Sequence, residues 1–163
     1  MITIGSIHGG VRSNIIPEEV ELIGIIRTLN TDMQNKIHEK IRLTATKIAE
    51  SAGAIADVQI SKGYPVTYND PELTARMLPC LKQVAGEENV KLIKAITGAE
   101  DFSFFQQKIP GLYFFLGGLP KGKMVEEAAP HHSPDFYIDK NSLKLGLRAL
   151  SYLALDYMDK HGK

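Results

Sequence analysis

Hydrophobic and polar positions follow two periods along this chain, and the change of pattern divides it. Ile2, Ile4 and Ile7, set among small residues, predict a strand running into the turn "HGGVRSN". "EEVELIGIIRTLN" repeats on period 2: Val20, Leu22, Gly24 and Ile26 share one face, Glu19, Glu21, Ile23, Ile25 and Arg27 the other. Thr31 or Asp32 is placed to cap a helix, its side-chain oxygen accepting a free first-turn N–H. Met33, Ile37, Ile41, Ile48 and Ala52 recur at helical spacing, with Lys36, His38, Glu39 and Lys40 on the wet side, until Gly53 stops the pattern. "ADVQISKGYPV" returns to period 2, Val58 and Ile60 inward, Asp57, Gln59 and Ser61 outward. Strand, strand, helix, strand makes a small α+β layer.

The layer ends near "YPVTYNDPE", where Pro65, Asn69, Asp70 and Pro71 disfavour regular structure and Asp70-Pro71 opens a new helix. That helix carries Leu73, Met77, Leu81 and Val84 and stops at Gly86. Pro79 inside it costs roughly 3 kcal/mol in a helix interior, so a kink or break is expected there. Beyond it the units shorten: "VKLIKAI" reads as a strand, "AEDFSFFQQK" as a short helix and "GLYFFLGG" as a buried strand. A last helix starts near Asn141, capped by Asp139 or Asn141, with Leu143, Leu147, Leu150, Ala154 and Met158 as its buried stripe. Strands alternating with helices imply an α/β layer, whose loops at strand C-terminal ends usually hold ligands.

Composition narrows the partners. Nineteen basic side chains balance nineteen acidic ones, so no field draws the chain to nucleic acid or to an anionic membrane. Apolar residues make up 44%, an ordinary globular share, and no apolar run approaches a membrane span. The single Cys80 excludes an internal disulfide and is compatible with a reducing, cytoplasmic setting. "MITIGSIHGG" opens as if mid-strand, so segments upstream of it are expected, and any leader would lie among them.

Three stretches hold candidate chemistry. In "APHHSPDF", neutral imidazole is a common zinc ligand, but neighbours in an extended segment point opposite ways, so His131 and His132 should not share one ion. Two loop histidines that each make a hydrogen bond fit the same letters. In "TGAEDFSFF", Glu100 and Asp101 start a helix, where the dipole favours acids by roughly 0.3–1 kcal/mol whatever their role. In "GGVRSNIIPEEVEL", the glycines, Asn14 and Pro17 suit a hairpin connection. Arg27, at the end of the next strand, is either a solvated charge or a fork for a carboxylate.

Taken in order, "GGVRSNIIPEEVELIGIIRTLN", "GAEDFSFF", "GLYFFLGG" and "HHSPDFYID" before a helix resemble the metal-dependent aminoacylase/carboxypeptidase family, and within it the hippurate hydrolase and auxin-conjugate amidohydrolase branch. The resemblance implies an α/β fold in two parts. Residues 1–66 would be part of an α+β lid and dimerisation domain, and 67–163 the closing part of an α/β catalytic domain. It also implies hydrolysis of N-acyl amino acids or related small-molecule amides with a divalent metal, zinc first and manganese, cobalt or nickel as alternatives, in a homo-oligomer. By the same resemblance His132 is the metal ligand, Asn14 and Arg27 bind substrate, and Glu100 and His131 line the site without an assigned role. The family's other ligands and its catalytic glutamate match nothing in this chain, so no catalytic residue is expected here and the piece alone should be inactive. A non-catalytic dimerisation or folding module is the alternative.

Overall fold

The computed structural model describes residues 1–161, which fall into two compact units. The first contains Met1–Thr67 and Ala95–Phe105; the second contains Tyr68–Lys94 and the chain from Gln106 onward.

In the first unit, β1 (Ile2–Gly9) and β2 (Val20–Ile26) form an antiparallel two-stranded sheet. Ile4 faces Gly24 and Ser6 faces Ile23, so Gly5 is the extra residue of a bulge. Gly24 has to be glycine at this register, because a Cβ there would lie 2.5 Å from the Thr3 carbonyl oxygen. Helix α1 (Thr31–Ser51) follows. Its cap is Asn30 rather than Thr31 or Asp32: Asn30 has the extended backbone a cap needs, and its Oδ1 accepts from the Met33 N–H at 2.8 Å. Asp32 remains in the first turn, where its charge suits the dipole. The inward stripe is also rotated from the expected one. Ile37, Ile41, Ala45 and Ala49 are half-buried and His38 is buried, whereas Met33 and Ile48 are exposed. Ile55–Ser61 keeps the expected alternation, Ala56, Val58 and Ile60 half-buried between exposed neighbours, but it pairs with no strand among the described residues.

The second unit is built on α2 (Pro71–Ala85) and α4 (Asn141–His161), which pack together. Asp70 caps α2, its Oδ1 accepting from the Leu73 N–H at 2.8 Å with Pro71 in the first turn. The helix continues through Pro79 unbroken. Ala75, whose carbonyl Pro79 cannot bond, is exposed along with Pro79 itself, so water can take that bond. Gly86 ends α2 at φ +90, a conformation that favours glycine. Leu81, Val84 and Ala149 form the centre of the core, with Val90, Leu112, Phe114, Leu145 and Leu153 packed around them.

Asp139 caps the start of α4, its Oδ1 accepting from the Asn141 N–H at 2.9 Å. The expected stripe of α4 is not its packed face. Leu143, Leu147, Leu150 and Met158 are exposed, while Leu145, Ala149 and Leu153 face the core. The helix is therefore apolar on two sides, and among the described residues one of them is covered. "VKLIKAI" and "GLYFFLGG" are extended yet form no ladder among the described residues. At Tyr113 the second stretch pairs instead with a side chain. Asn69 Nδ2 donates to the Tyr113 carbonyl at 2.7 Å, and the Tyr113 N–H donates to Asn69 Oδ1 at 2.7 Å. The fold is mixed α/β, as the pattern implied, with a smaller sheet than expected.

Candidate functional site

Asn14 lies in the turn between β1 and β2, where the Ile15 N–H donates to the Arg12 carbonyl at 3.3 Å, and its side chain is exposed. Arg27 follows β2. Its main-chain N–H extends the ladder to the Met1 carbonyl at 2.9 Å, which fixes the direction in which its side chain leaves the sheet. Its guanidinium Nη1 donates to the Thr97 carbonyl at 3.3 Å. This bond ties the end of β2 to the turn that leads into Glu100 and Asp101. The turn is itself closed by the first turn of α3 (Phe102–Gln106): the Ser103 N–H donates to the Glu100 carbonyl at 3.1 Å, and Ser103 Oγ donates to the same oxygen. Ser103 is completely buried, so the main chain at Glu100 is held while its half-buried side chain stays reachable.

The histidine loop belongs to the second unit. His132 has φ +64 and is the one non-glycine residue with positive φ among those described. A side chain in that region carries roughly 1–2 kcal/mol of local strain, tolerated where the surroundings dictate the conformation. The turn around it is closed by the Ser133 N–H donating to the Pro130 carbonyl at 3.3 Å and the Phe136 N–H donating to the Ser133 carbonyl at 3.1 Å. The His131 ring lies 4.7 Å from that of Phe136. His131 rests beside an aromatic ring, and both His131 and His132 are exposed. Ser133 Oγ is buried beside them without a partner.

The structure thus brings Arg27 to the Thr97–Asp101 turn in one unit and places His131 and His132 together on a loop of the other. Among the described residues, no three His, Cys, Asp or Glu side chains are grouped to hold a metal ion. A catalytic zinc takes three protein ligands and an open position, and no such set is grouped among the described residues.

Two features escaped the sequence pattern. The Arg27–Thr97 bond joins residues far apart in the chain and leaves no local signature. The other is an open cavity of about 340 Å³ lined by Tyr68, Asp70, Gln106, Lys108, Ile109 and Gly111, among others. There Gln106 Oε1 accepts from the Tyr68 N–H at 3.0 Å, and its Nε2 is buried without a partner. Asp70 was legible as a helix cap, but nothing in the letters around Gln106 points to it.

Comparison with known proteins settles the family. Residues 5–156 match the model of peptidase family M20/M25/M40, and the chain belongs to that family. It is 37% identical over 161 residues to thermostable carboxypeptidase 2 of Saccharolobus solfataricus, covering 98% of this chain and 40% of that one. It is 35% identical over 144 residues to an N-acetyldiaminopimelate deacetylase of a Geobacillus strain, covering 85% of this chain and 38% of that one. The crystal structure of Bacillus subtilis YXEP protein, a dinuclear metal-binding peptidase of the M20 family, superposes with a TM-score of 0.74 at 25% identity, covering 97% of this chain and 42% of that one. The chain spans about 40% of the length of the curated relatives it matches first. The resemblance carried by the four ordered stretches is therefore borne out at the level of the family. No helix among the described residues is long and apolar enough to cross a membrane.

Proposed function

We propose that this chain is the closing part of an M20 metallo-amidohydrolase that cleaves N-acyl amino acids or related small amides, of the hippurate and auxin-conjugate branch. Residues 1–66 supply part of the lid, and 67–163 the end of the catalytic domain. His132 contributes one ligand to a divalent metal, zinc in the first instance, and His131 orders the loop through Phe136. Asn14 polarises the scissile carbonyl with its amide N–H, and Arg27 holds the substrate carboxylate through its planar fork. Glu100 lines the site on the turn that Arg27 reaches. The remaining ligands and the proton-carrying carboxylate come from the part of the enzyme this chain does not span, so the piece alone is inactive. The unpaired Cys80 suits a reducing compartment, and we place the enzyme in the cytoplasm as a homo-oligomer.

The observation that carries this reading is the left-handed His132 in a Pro-His-His-Ser-Pro loop, within a family match that runs through it. Strain of that kind collects at ligand-binding positions. A second reading, a dimerisation or folding module without catalysis, is favoured by the missing metal cluster among the described residues. One experiment separates them. The chain is mixed with the part of Saccharolobus solfataricus carboxypeptidase 2 that it does not match, with zinc, and assayed on N-benzoyl and N-acetyl amino acids. Turnover in the mixture, none from either part, and its loss in His132→Ala support the hydrolase. Turnover by this chain alone, or full activity in the variant, refutes the assignment.

A further inference from the structure

Residues 119–138, which carry the two histidines, hold little regular structure, a single 3-10 turn at Val125–Glu127. Connections of that length and kind, when ordered, usually serve a function. The hydrogen bonds inside this one are short-range. The Lys123 N–H donates to the Pro120 carbonyl at 3.1 Å, the Glu127 N–H to that of Met124 at 3.1 Å, and the Ser133 N–H to that of Pro130 at 3.3 Å. Among the described residues, no hydrogen bond leaves the loop. The one that closes it lies at its neck.

There the Asp139 N–H donates to the Gly118 carbonyl at 2.7 Å. Asp139 is also built into the start of α4. Its Oδ1 accepts from the Asn141 N–H at 2.9 Å, and its carbonyl accepts from the Ser142 N–H at 3.0 Å and from Ser142 Oγ at 2.7 Å. The two arms of the loop approach closely: a Cβ on Gly118 would lie 3.0 Å from Ile138 Cγ2 and 3.2 Å from Ile138 Cβ. Glycine is the residue that lets Ile138 seat there without displacement. His132 stands on the shorter arm, separated from Asp139 by the turn that the Phe136 N–H closes on the Ser133 carbonyl at 3.1 Å. That arm has little slack, so a shift at the neck is carried to a His132 backbone already held at φ +64.

We propose that Gly118 and Asp139 are positioning residues for His132: the bond between them and the seat of Ile138 on Gly118 set where that imidazole stands relative to the packed pair α2 and α4. All of these residues belong to the second unit. The catalytic consequence rests on the function proposed above. There Asn14 and Arg27 hold the substrate while His132 belongs to the reacting centre, so a displaced neck lowers kcat and spares KM. A misplacement of about 1 Å can cost roughly 100-fold in rate. The Gly118 contact asks its neighbour to give by a few tenths of an ångström, so a loss of roughly tenfold is expected.

The test uses NMR of the full chain and kinetics of the chain mixed with the unmatched part of the Saccharolobus carboxypeptidase. Gly118→Ala should speed exchange of the Asp139 amide about tenfold, shift the His132 amide and ring resonances, and lower kcat roughly tenfold with KM unchanged. Adding Ile138→Ala makes room for the new methyl and should restore all three. Asn69→Ala loosens the same segment at Tyr113, away from the neck, and should leave the His132 resonances and kcat as they were. A second pair separates the neck bond from the helix cap, should Gly118→Ala fail to fold. Asp139→Ala loses the cap carboxylate but keeps the N–H, whereas Asp139→Pro loses both; only the proline should move the His132 resonances. Unmoved His132 resonances in both Gly118→Ala and Asp139→Pro, an equal shift in Asn69→Ala, or a loss that falls on KM would overturn the proposal. If the unsubstituted chain yields no turnover in the mixture, the enzymatic reading fails, while the resonances still decide whether the neck positions His132.

Discussion

Asn69→Ala should loosen the edge of the 111–118 segment by an amount readable from two bonds. The amide of Asn69 satisfies both main-chain groups of Tyr113, each at 2.7 Å, as one residue of a neighbouring strand would. A hydrogen bond contributes roughly 0.5–1.5 kcal/mol net. Asn69 is exposed, so water replaces part of what alanine removes and the expected loss is about 1–2 kcal/mol, near the lower part of the two-bond range. Locally that is a roughly 5- to 30-fold larger opening constant. The assay is exchange of the Tyr113 amide by NMR, with the urea midpoint as a check on the whole second unit. Asn69→Asp sharpens the test, because it keeps the acceptor for the Tyr113 N–H but sets a carboxylate against the Tyr113 carbonyl. It should do at least as much damage as alanine. If Tyr113 exchange is unchanged in Asn69→Ala, or if Asn69→Asp is the milder variant, the amide is not acting as a strand partner.

Two further outcomes follow from positions already described. At His132, φ +64 sets an order among substitutions: His132→Asn should hold the denaturation midpoint and His132→Val should lower it, by about 1–2 kcal/mol, because asparagine tolerates the left-handed region and a β-branched residue does not. Equal midpoints would remove strain from the account of that loop. The Cys80 thiol is pushed above its ordinary value of 9.0, first by burial and then by the Asp156 carboxylate, with Lys160 pulling the other way. The folded chain therefore keeps the proton longer than the unfolded one. Stability is whole below pH 9 and falls as pH rises above it, a loss Cys80→Ala should abolish in urea titrations at pH 8 and 10.

How much was legible depended on whether the signal was local. Asp70-Pro71 and the glycine stop of α2 are written in adjacent letters, and both hold. The division of α1 was visible, but its cap was placed one or two residues late, because Asn30, Thr31 and Asp32 are all good caps and only the backbone bend decides. The inward face of a helix depends on what lies beside it, so two stripes were misread in different ways. On α1, His38 took an interior place that its polarity argued against. On α4, the Leu143–Leu147–Leu150 stripe is strongly apolar, but Leu145, Ala149 and Leu153 meet α2. The three extended stretches had the composition of strands, and their ladders depend on neighbours that no stretch encodes by itself. At the site, the histidine loop and Arg27 stood out by type, while the bond from Arg27 to Thr97 joins residues too distant for any spacing rule.

The two apolar sides of α4 bear on the order in which this polypeptide acquires its shape. Val84 and Leu81 wait for Ala149, on an element that leaves the ribosome long after them, before their cluster can close. Until then α2 has Val90, Leu112 and Phe114 to pack on but not α4, and the contact eventually made is a distant one of the kind that slows folding. Once α4 arrives it closes that cluster with one side and offers Leu143, Leu147 and Leu150 with the other, so a single late event completes one layer and creates the seat for the next.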